Sequence, residues 1–347
     1  MNPYILPIFL FGLGLGTTIT FMSSHWLLAW MGLEINTLAI IPLMAQHHHP
    51  RSVEAATKYF LTQATAAAMI LFASSMNAWM TGQWNINDLS HPFPLTIITL
   101  ALALKLGLAP LHTWLPEVLQ GLDLTTGLIM STWQKLAPFA LFIQLTSQQT
   151  IVISTLAILS TLVGGWGGLN QTQIRKILAY SSIAHLGWMT LVIQYSPSLT
   201  LLALLTYILM TLAAFNLLKF NKTTSINSLA NSWFKSPPLT ALTPLIMMSL
   251  AGLPPLTGFG PKWMILSELT KQNLAPLATL AALSALLSLY FYLRLSYAMT
   301  LTMSPNTISA VAQWRFNSTQ TTLPLSLSTT LALMLLPLLP AMVVLTN

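Results

Sequence analysis

"GLAPLHTWLP", residues 107–116, lies inside an apolar stretch long enough to cross a bilayer. Proline lacks an N–H and clashes with the carbonyl four residues back, so a helix should break here. The same frame, G-L-x-P-L-x-x-aromatic-x-P, returns as "GLPPLTGFGP" at 252–261. Gly107, Pro110, Gly252, Pro254, Pro255 and Pro261 are therefore the expected helix-break residues. Unwound backbone within a membrane is tolerated only where protein or a water-filled cavity satisfies it. Two matched breaks point to polar sites inside an apolar protein.

Composition supports the membrane setting. The 347 residues are 54% hydrophobic and only 5% charged, against about 25% charged in a soluble domain. The chain has no cysteine, which excludes disulfides, thiolate metal sites and cysteine-ligated iron–sulfur clusters. A net charge of +7 comes from scattered lysines and arginines, so no nucleic-acid footprint is expected. The opening "MNPYILPIFLF" has no basic n-region, and no cleaved presequence is expected.

A spanning helix needs about 20 apolar residues. Eleven such stretches are read: 3–22, 25–45, 57–80, 94–119, 124–146, 150–168, 174–194, 198–219, 239–268, 274–300 and 323–345. They are too long for barrel strands and lack period-2 alternation. With loops assigned alternately, the side holding the N-terminus collects Arg51, Lys58, Arg175, Lys176, Lys219, Lys222, Lys235 and Arg315, and Arg294 lies toward it. The opposite side has Lys271 alone. The positive-inside rule then puts the N-terminus in the cytoplasm or mitochondrial matrix and the C-terminus opposite.

The broken stretches are the fourth and the ninth. A shift of five helices reverses membrane direction, which is the pattern of an inverted repeat with discontinuous helices at matching positions. The expected fold is an all-α polytopic bundle. Residues 1–146 form the first five-helix half, 147–300 the inverted second half, and 301–347 a positive-side loop and last helix.

Four ionisable residues fall well within the spans: Glu34 in "WMGLEINTL", Lys105 in "LALKLGL", Lys135 in "STWQKLAPF" and Lys262 in "FGPKWMI". Each costs about 2.5–3.5 kcal/mol on insertion scales. Together they cost on the order of 10 kcal/mol, comparable to a domain's whole stability. A Glu–Lys pair that opens and closes loads and releases a proton; the competing reading is that such a pair only pins helices. Lys105 ends a half-helix, where carbonyl dipoles favour an ammonium, whereas Lys262 begins one, where amide dipoles oppose it. His112, in the first break, and His185, in "IAHLGW", are candidate relays, since a neutral imidazole both accepts and donates.

Other motifs carry less. Three adjacent histidines at 47–49 cannot all face one ion, and no carboxylate joins them. "GLGLG" at 12–16 lacks the strand and acidic residue of a dinucleotide site, and "GGWGG" at 164–168 reads as close helix packing. Sequons at Asn170, Asn221 and Asn317 fall on the positive side, where glycosylation is not expected. No metal or cofactor site is read in the chain.

"WMGLEINTL", "EAATKYFL", "LAPLHTWLPEVL", "RKILAYSSIAHLGW" and "GLPPLTGFGPKW", in this order, resemble the antiporter-like membrane subunits of respiratory complex I. The likeness runs through nearly the whole chain, and length and opening are similar to the vertebrate mitochondrial branch. The resemblance implies a proton-translocating module of the mitochondrial inner membrane, driven by NADH oxidation and ubiquinone reduction elsewhere. It places FMN, iron–sulfur clusters and the NADH and ubiquinone sites in other subunits. It implies partners among adjacent antiporter-like and small membrane subunits, and inner-membrane lipids. It carries the proton path over to Glu34, Lys105, Lys135 and Lys262. Related bacterial subunits have fourteen helices, and this chain corresponds to a start at their fourth. The alternatives are a standalone proton/cation antiporter of related fold and a scaffold whose buried charges only hold helices together.

Overall fold

The computed structural model describes residues 4–46, 49–89, 91–145, 150–234, 237–301 and 322–346. His47, His48, Lys235, Arg315, Asn317 and most of the 301–322 loop lie outside them. Among the described residues the regular elements are helices, joined by two isolated β-bridges, His25 with Asn85 and Gln173 with Ser225. The chain forms two compact units, Met1–Ser160 and Thr161–Asn347.

In unit 1, α1 (Ile5–Met22) crosses α2 (Trp26–Met44) at glycines rather than side chains. A Cβ on Gly16 would meet Gly32 O at 2.8 Å and the Asn36 side chain, and one on Gly12 would touch Ala39. "GLGLG" is thus a packing seam of the small-residue kind that membrane helices use. Gly16→Val overpacks this seam, at about 1–3 kcal/mol. The expected result is a lower thermal midpoint of the purified protein in detergent, and an unchanged midpoint contradicts the seam.

Next come α3 (Pro50–Thr81), α4 (Pro92–Leu106), α5 (Trp114–Gly121), α6 (Leu124–Ser131) and α7 (Trp133–Leu145). Proline in the first turn starts α3 and α4, where its missing N–H costs nothing. α3 packs against α2, α4 and α5. At the exposed edge of α3, Lys58 bonds Glu117 of α5 at 2.7 Å and Glu54 at 2.8 Å.

The boundary between units falls within α8 (Thr150–Gly167). Unit 2 continues with α9 (Ile174–Val192), α10 (Pro197–Asn221), α11 (Ile226–Ala230), α12 (Pro237–Ala251), α13 (Phe259–Lys271), α14 (Ala275–Thr300), α15 (Leu323–Met334) and α16 (Leu339–Thr346). "GGWGG" brings helices close: a Cβ on Gly164 would strike Ala184 of α9, and one on Gly165 would strike Leu287 of α14.

Among the described residues, five helices are long and apolar enough to cross a membrane unaided: α1, α2, α3, α10 and α14. The fourth and ninth predicted stretches are each two helices, as the glycine–proline frame requires. Two more breaks were not foreseen. The fifth stretch divides at Thr132, where Thr132 N, Thr132 Oγ1 and Ser131 Oγ all donate to the Leu128 carbonyl at 2.8–3.0 Å. Such back-bonding bends a helix. The eleventh stretch bends by 66° between α15 and its continuation, because Pro337 offers no N–H to Leu333.

Candidate functional site

The two breaks are the same stop built twice. α4 ends at Gly107 (φ 81°) and α12 at Gly252 (φ 82°), both left-handed. Gly107 N donates to Leu104 O at 3.2 Å and Leu108 N to Ala103 O at 2.9 Å. Gly252 N donates to Ser249 O at 3.0 Å and Leu253 N to Met248 O at 3.3 Å. This is the Schellman arrangement, which needs a residue without a Cβ penalty at the left-handed position. Each break also holds a cis X–Pro peptide at the same register, Ala109–Pro110 and Pro254–Pro255. In the shared frame Lys262 corresponds to Glu117, so the two breaks differ in the chemistry they carry.

In unit 1 the break backs onto a polar cavity. Lys105, in the last turn of α4, and Lys135, in α7, both line it, together with Asn36, Tyr59, Gln63, Trp114 and Gln134. Lys105 is 6% exposed and Lys135 3%. Trp114 closes the break by donating Nε1 to Leu104 O at 3.0 Å, and its ring tilts against Tyr59 at 5.8 Å. Gln134 Nε2 ties α7 to the Asn36 carbonyl of α2 at 3.4 Å. Asn36 Oδ1, Gln63 Nε2 and Lys105 Nζ have no hydrogen-bond partner among the described residues. An unmet buried polar group costs about 1–3 kcal/mol, so three together define a lining made to be wetted. The cavity volume is about 20 Å³, above the ~10–15 Å³ that one water needs.

Glu34 is half-buried on α2 and is not part of this lining. Its carboxylate is nonetheless close enough to act electrostatically on Lys105 and Tyr59. Glu34 Oε2 makes no hydrogen bond among the described residues. The pair is open in this structure. His112 sits half-buried in the break and does not line the cavity.

In unit 2 a cavity is lined by His185, Trp188 and Met189 of α9, Thr206 of α10, and Pro261 and Lys262 of α13. Lys262 Nζ donates to the Ala251 carbonyl at 2.7 Å and lies 5.9 Å from the Trp188 ring centroid. Position along the helix predicts an ammonium opposed by the start of α13; instead the four-carbon stem reaches back across the break. It caps the carbonyl end of α12, where the helix dipole favours a cation, and the Trp188 face adds to that preference.

Of the residues picked from sequence, Lys105 and Lys135 line one cavity, and His185 and Lys262 line another. The amides Asn36, Gln63 and Gln134, with Tyr59 and Trp188, were missed. A neutral amide in "YFLTQATAAAM" is a weak version of the signal that revealed the lysines. Among the described residues no three His, Asp or Glu side chains gather closely enough to hold a metal ion.

Residues 23–288 match the family described as NADH:quinone oxidoreductase/Mrp antiporter, TM, and residues 289–343 match NADH dehydrogenase subunit 2 C-terminus. The chain is 69% identical over 350 residues to NADH-ubiquinone oxidoreductase chain 2 of Tetraodon nigroviridis, covering 100% of both. It is 71% identical over 343 residues to the protein of that name from Salmo salar, covering 98% of both. Among solved structures it resembles a chain of respiratory complex I from Thermus thermophilus with bound Aureothin, at 28% identity and TM-score 0.83. That match covers 97% of this chain and 80% of the other. A chain of the Mrp complex from Dietzia sp. DQ12-45-1b shares the fold at 17% identity and TM-score 0.84, over 95% of this chain and 74% of that one.

Proposed function

The chain belongs to the NADH:quinone oxidoreductase/Mrp antiporter membrane family, in its complex I branch, and from that premise we propose that it moves protons in the membrane arm of respiratory complex I. NADH oxidation, through FMN and iron–sulfur clusters, and ubiquinone reduction take place in other subunits. The setting is the mitochondrial inner membrane, with eleven spans and the N-terminus on the matrix side. Two inverted five-helix halves, 1–146 and 147–300, carry the chemistry, and 301–347 adds a loop and a last helix. Neighbouring antiporter-like and small membrane subunits, with lipid, cover its outer faces.

The observation that carries this reading is the shared cavity of Lys105 and Lys135. Two lysines, three amides and a phenol form a wettable pocket beside a broken helix, far more polar surface than helix packing requires. Glu34 supplies a negative field at Lys105. Its weakening moves the proton toward Lys135, and Lys262 with His185 forms the later station, with His112 as a relay at the first break.

The test is NADH-driven proton translocation by the assembled complex in lipid vesicles. Lys105→Met is expected to slow it by about 10²-fold, at the lower end of what a positioned acid–base group contributes. Normal protons per electron in an assembled Lys105→Met complex overturns the reading and favours a scaffold. Gly252→Ala tests the second break. Its Cβ would meet Lys262 Cδ at 2.9 Å and Nζ at 3.0 Å, in a left-handed backbone. The handedness alone costs about 1–2 kcal/mol. Gly82→Ala carries the same kind of strain (φ 73°) with nothing within 4 Å. Both are expected to lower the thermal midpoint, and only Gly252→Ala to slow translocation; equal translocation in the two contradicts a role for the Lys262 position.

A further inference from the structure

Unit 2 buries a second set of polar side chains that this reading leaves without a role. Ser181 and Ser182 on α9, Tyr207 on α10 and Tyr292 on α14 are each about 1% exposed. They are neighbours in series. Tyr292 stands beside Ser181 and within electrostatic reach of Tyr207. Tyr207 stands beside Ser182, and its ring lies 5.5 Å from that of His185. His185 lines the cavity of Lys262.

The series has a direction. The start of α9 and the ends of α10 and α14 gather at one end of the unit. Ile174 N donates to Thr224 O and Ile226 N to Thr172 O, both at 3.2 Å, and the Arg294 guanidinium holds the Leu169 and Gln171 carbonyls. At 1.5 Å per residue, Tyr292, Ser181 and Ser182 lie about 11–12 Å in from that end, His185 about 17 Å and Tyr207 about 21 Å. Tyr292 and the two serines thus lie nearer the loop end than His185 does, and Tyr207 reaches the His185 ring from the deeper side.

Packing alone does not account for them. Tyr292 already tilts its ring against that of Phe291 at 4.4 Å, so phenylalanine would fill the same space. Its hydroxyl completes no hydrogen bond among the described residues, because the Ser181 hydroxyl beside it is turned onto Leu178 O at 2.7 Å. Ser182 likewise donates to Ala179 O at 2.8 Å, leaving lone pairs toward its neighbours. An unmet phenol deep in an apolar phase is a destabilising feature with no structural return.

We propose that Tyr292, Ser181, Ser182 and Tyr207 form a hydroxyl file carrying protons between the loop-side half of unit 2 and the His185–Lys262 cavity. The inference rests on the proton-translocation reading. A hydroxyl accepts one proton on a lone pair as it releases its own on the far side. One O–H bond forms and one breaks at each oxygen, with no phenolate left behind. His185 receives the proton on one ring nitrogen and gives it up from the other, and rotation of the hydroxyls resets the file.

Tyr207→Phe and Tyr292→Phe remove only the oxygens. In the assembled complex in vesicles, each is expected to slow NADH-driven proton translocation about tenfold, a change of about 1.4 kcal/mol in barrier. Tyr290→Phe, on the exposed face of α14, is expected to leave it unchanged. Should a tyrosine variant fail to assemble, Ser182→Ala against Ser182→Thr decides the matter, since threonine restores the hydroxyl and is expected to restore the rate. Normal translocation in both Phe variants, or in Ser182→Ala, overturns the file. If Lys262→Met is slow in the same assay while those variants are normal, the proton-translocation reading stands without the file; if Lys262→Met is also normal, that reading falls with it.

Discussion

Lys135→Met is expected to abolish proton translocation by the assembled complex, a loss of about 10²–10⁴-fold, and Lys135→Arg is expected to fail almost as badly. Methionine matches the volume of the lysine stem without a titratable group, so the cavity keeps its shape and loses its carrier. Arginine separates two explanations that methionine confounds. A guanidinium stays protonated at every pH a protein meets, so it preserves a buried positive charge and still cannot give up a proton. If the 3% exposed Lys135 served only to hold α7 in place through its charge, arginine would restore function. Parallel loss in both variants, with the complex assembled in normal amount on native gels, identifies proton exchange as the role. Recovery in Lys135→Arg sinks it.

The breaks and the buried lysines were legible in the sequence for one physical reason. Each violates what a lipid-facing helix tolerates: "GLAPLHTWLP" forfeits backbone hydrogen bonds, and a lysine deep in an apolar run forfeits hydration. Neighbouring structure was hidden where no such violation occurs. Thr132 is an ordinary residue for a membrane helix, and the kink appears only when three donors converge on the Leu128 carbonyl. Asn36, Gln63 and Gln134 cost less to insert than a charge. Their meeting around Lys105 and Lys135 depends on how α2, α3, α4 and α7 face one another, which periodicity along one helix does not specify. Lys262 illustrates a third limit. Its place in the chain assigns it to the start of α13, while its ammonium belongs to the end of α12, because a flexible stem is longer than the break it crosses.

Glu34→Gln is expected to slow translocation by about tenfold to a hundredfold while leaving assembly intact, and to do so only as long as Lys105 is present. The substitution is isosteric, and Glu34 Oε2 makes no hydrogen bond among the described residues, so no buried donor is orphaned and little stability is lost. What disappears is the field on Lys105. At an effective dielectric near 20, opposite charges attract by about 4 kcal/mol at 4 Å and about half that at twice the distance. A tenfold to hundredfold slowing is a barrier change of about 1.4–2.8 kcal/mol, within the range of that attraction. Glu34 is then a positioning residue that acts through one partner, and a double-mutant cycle tests that directly. With Lys105→Met in place there is no ammonium for the carboxylate to hold, so adding Glu34→Gln should change the rate little further. Independent sites instead multiply their losses. Multiplicative loss in the double variant would show that Glu34 works on another group, and Tyr59, the other side chain within its field, is where that search would begin.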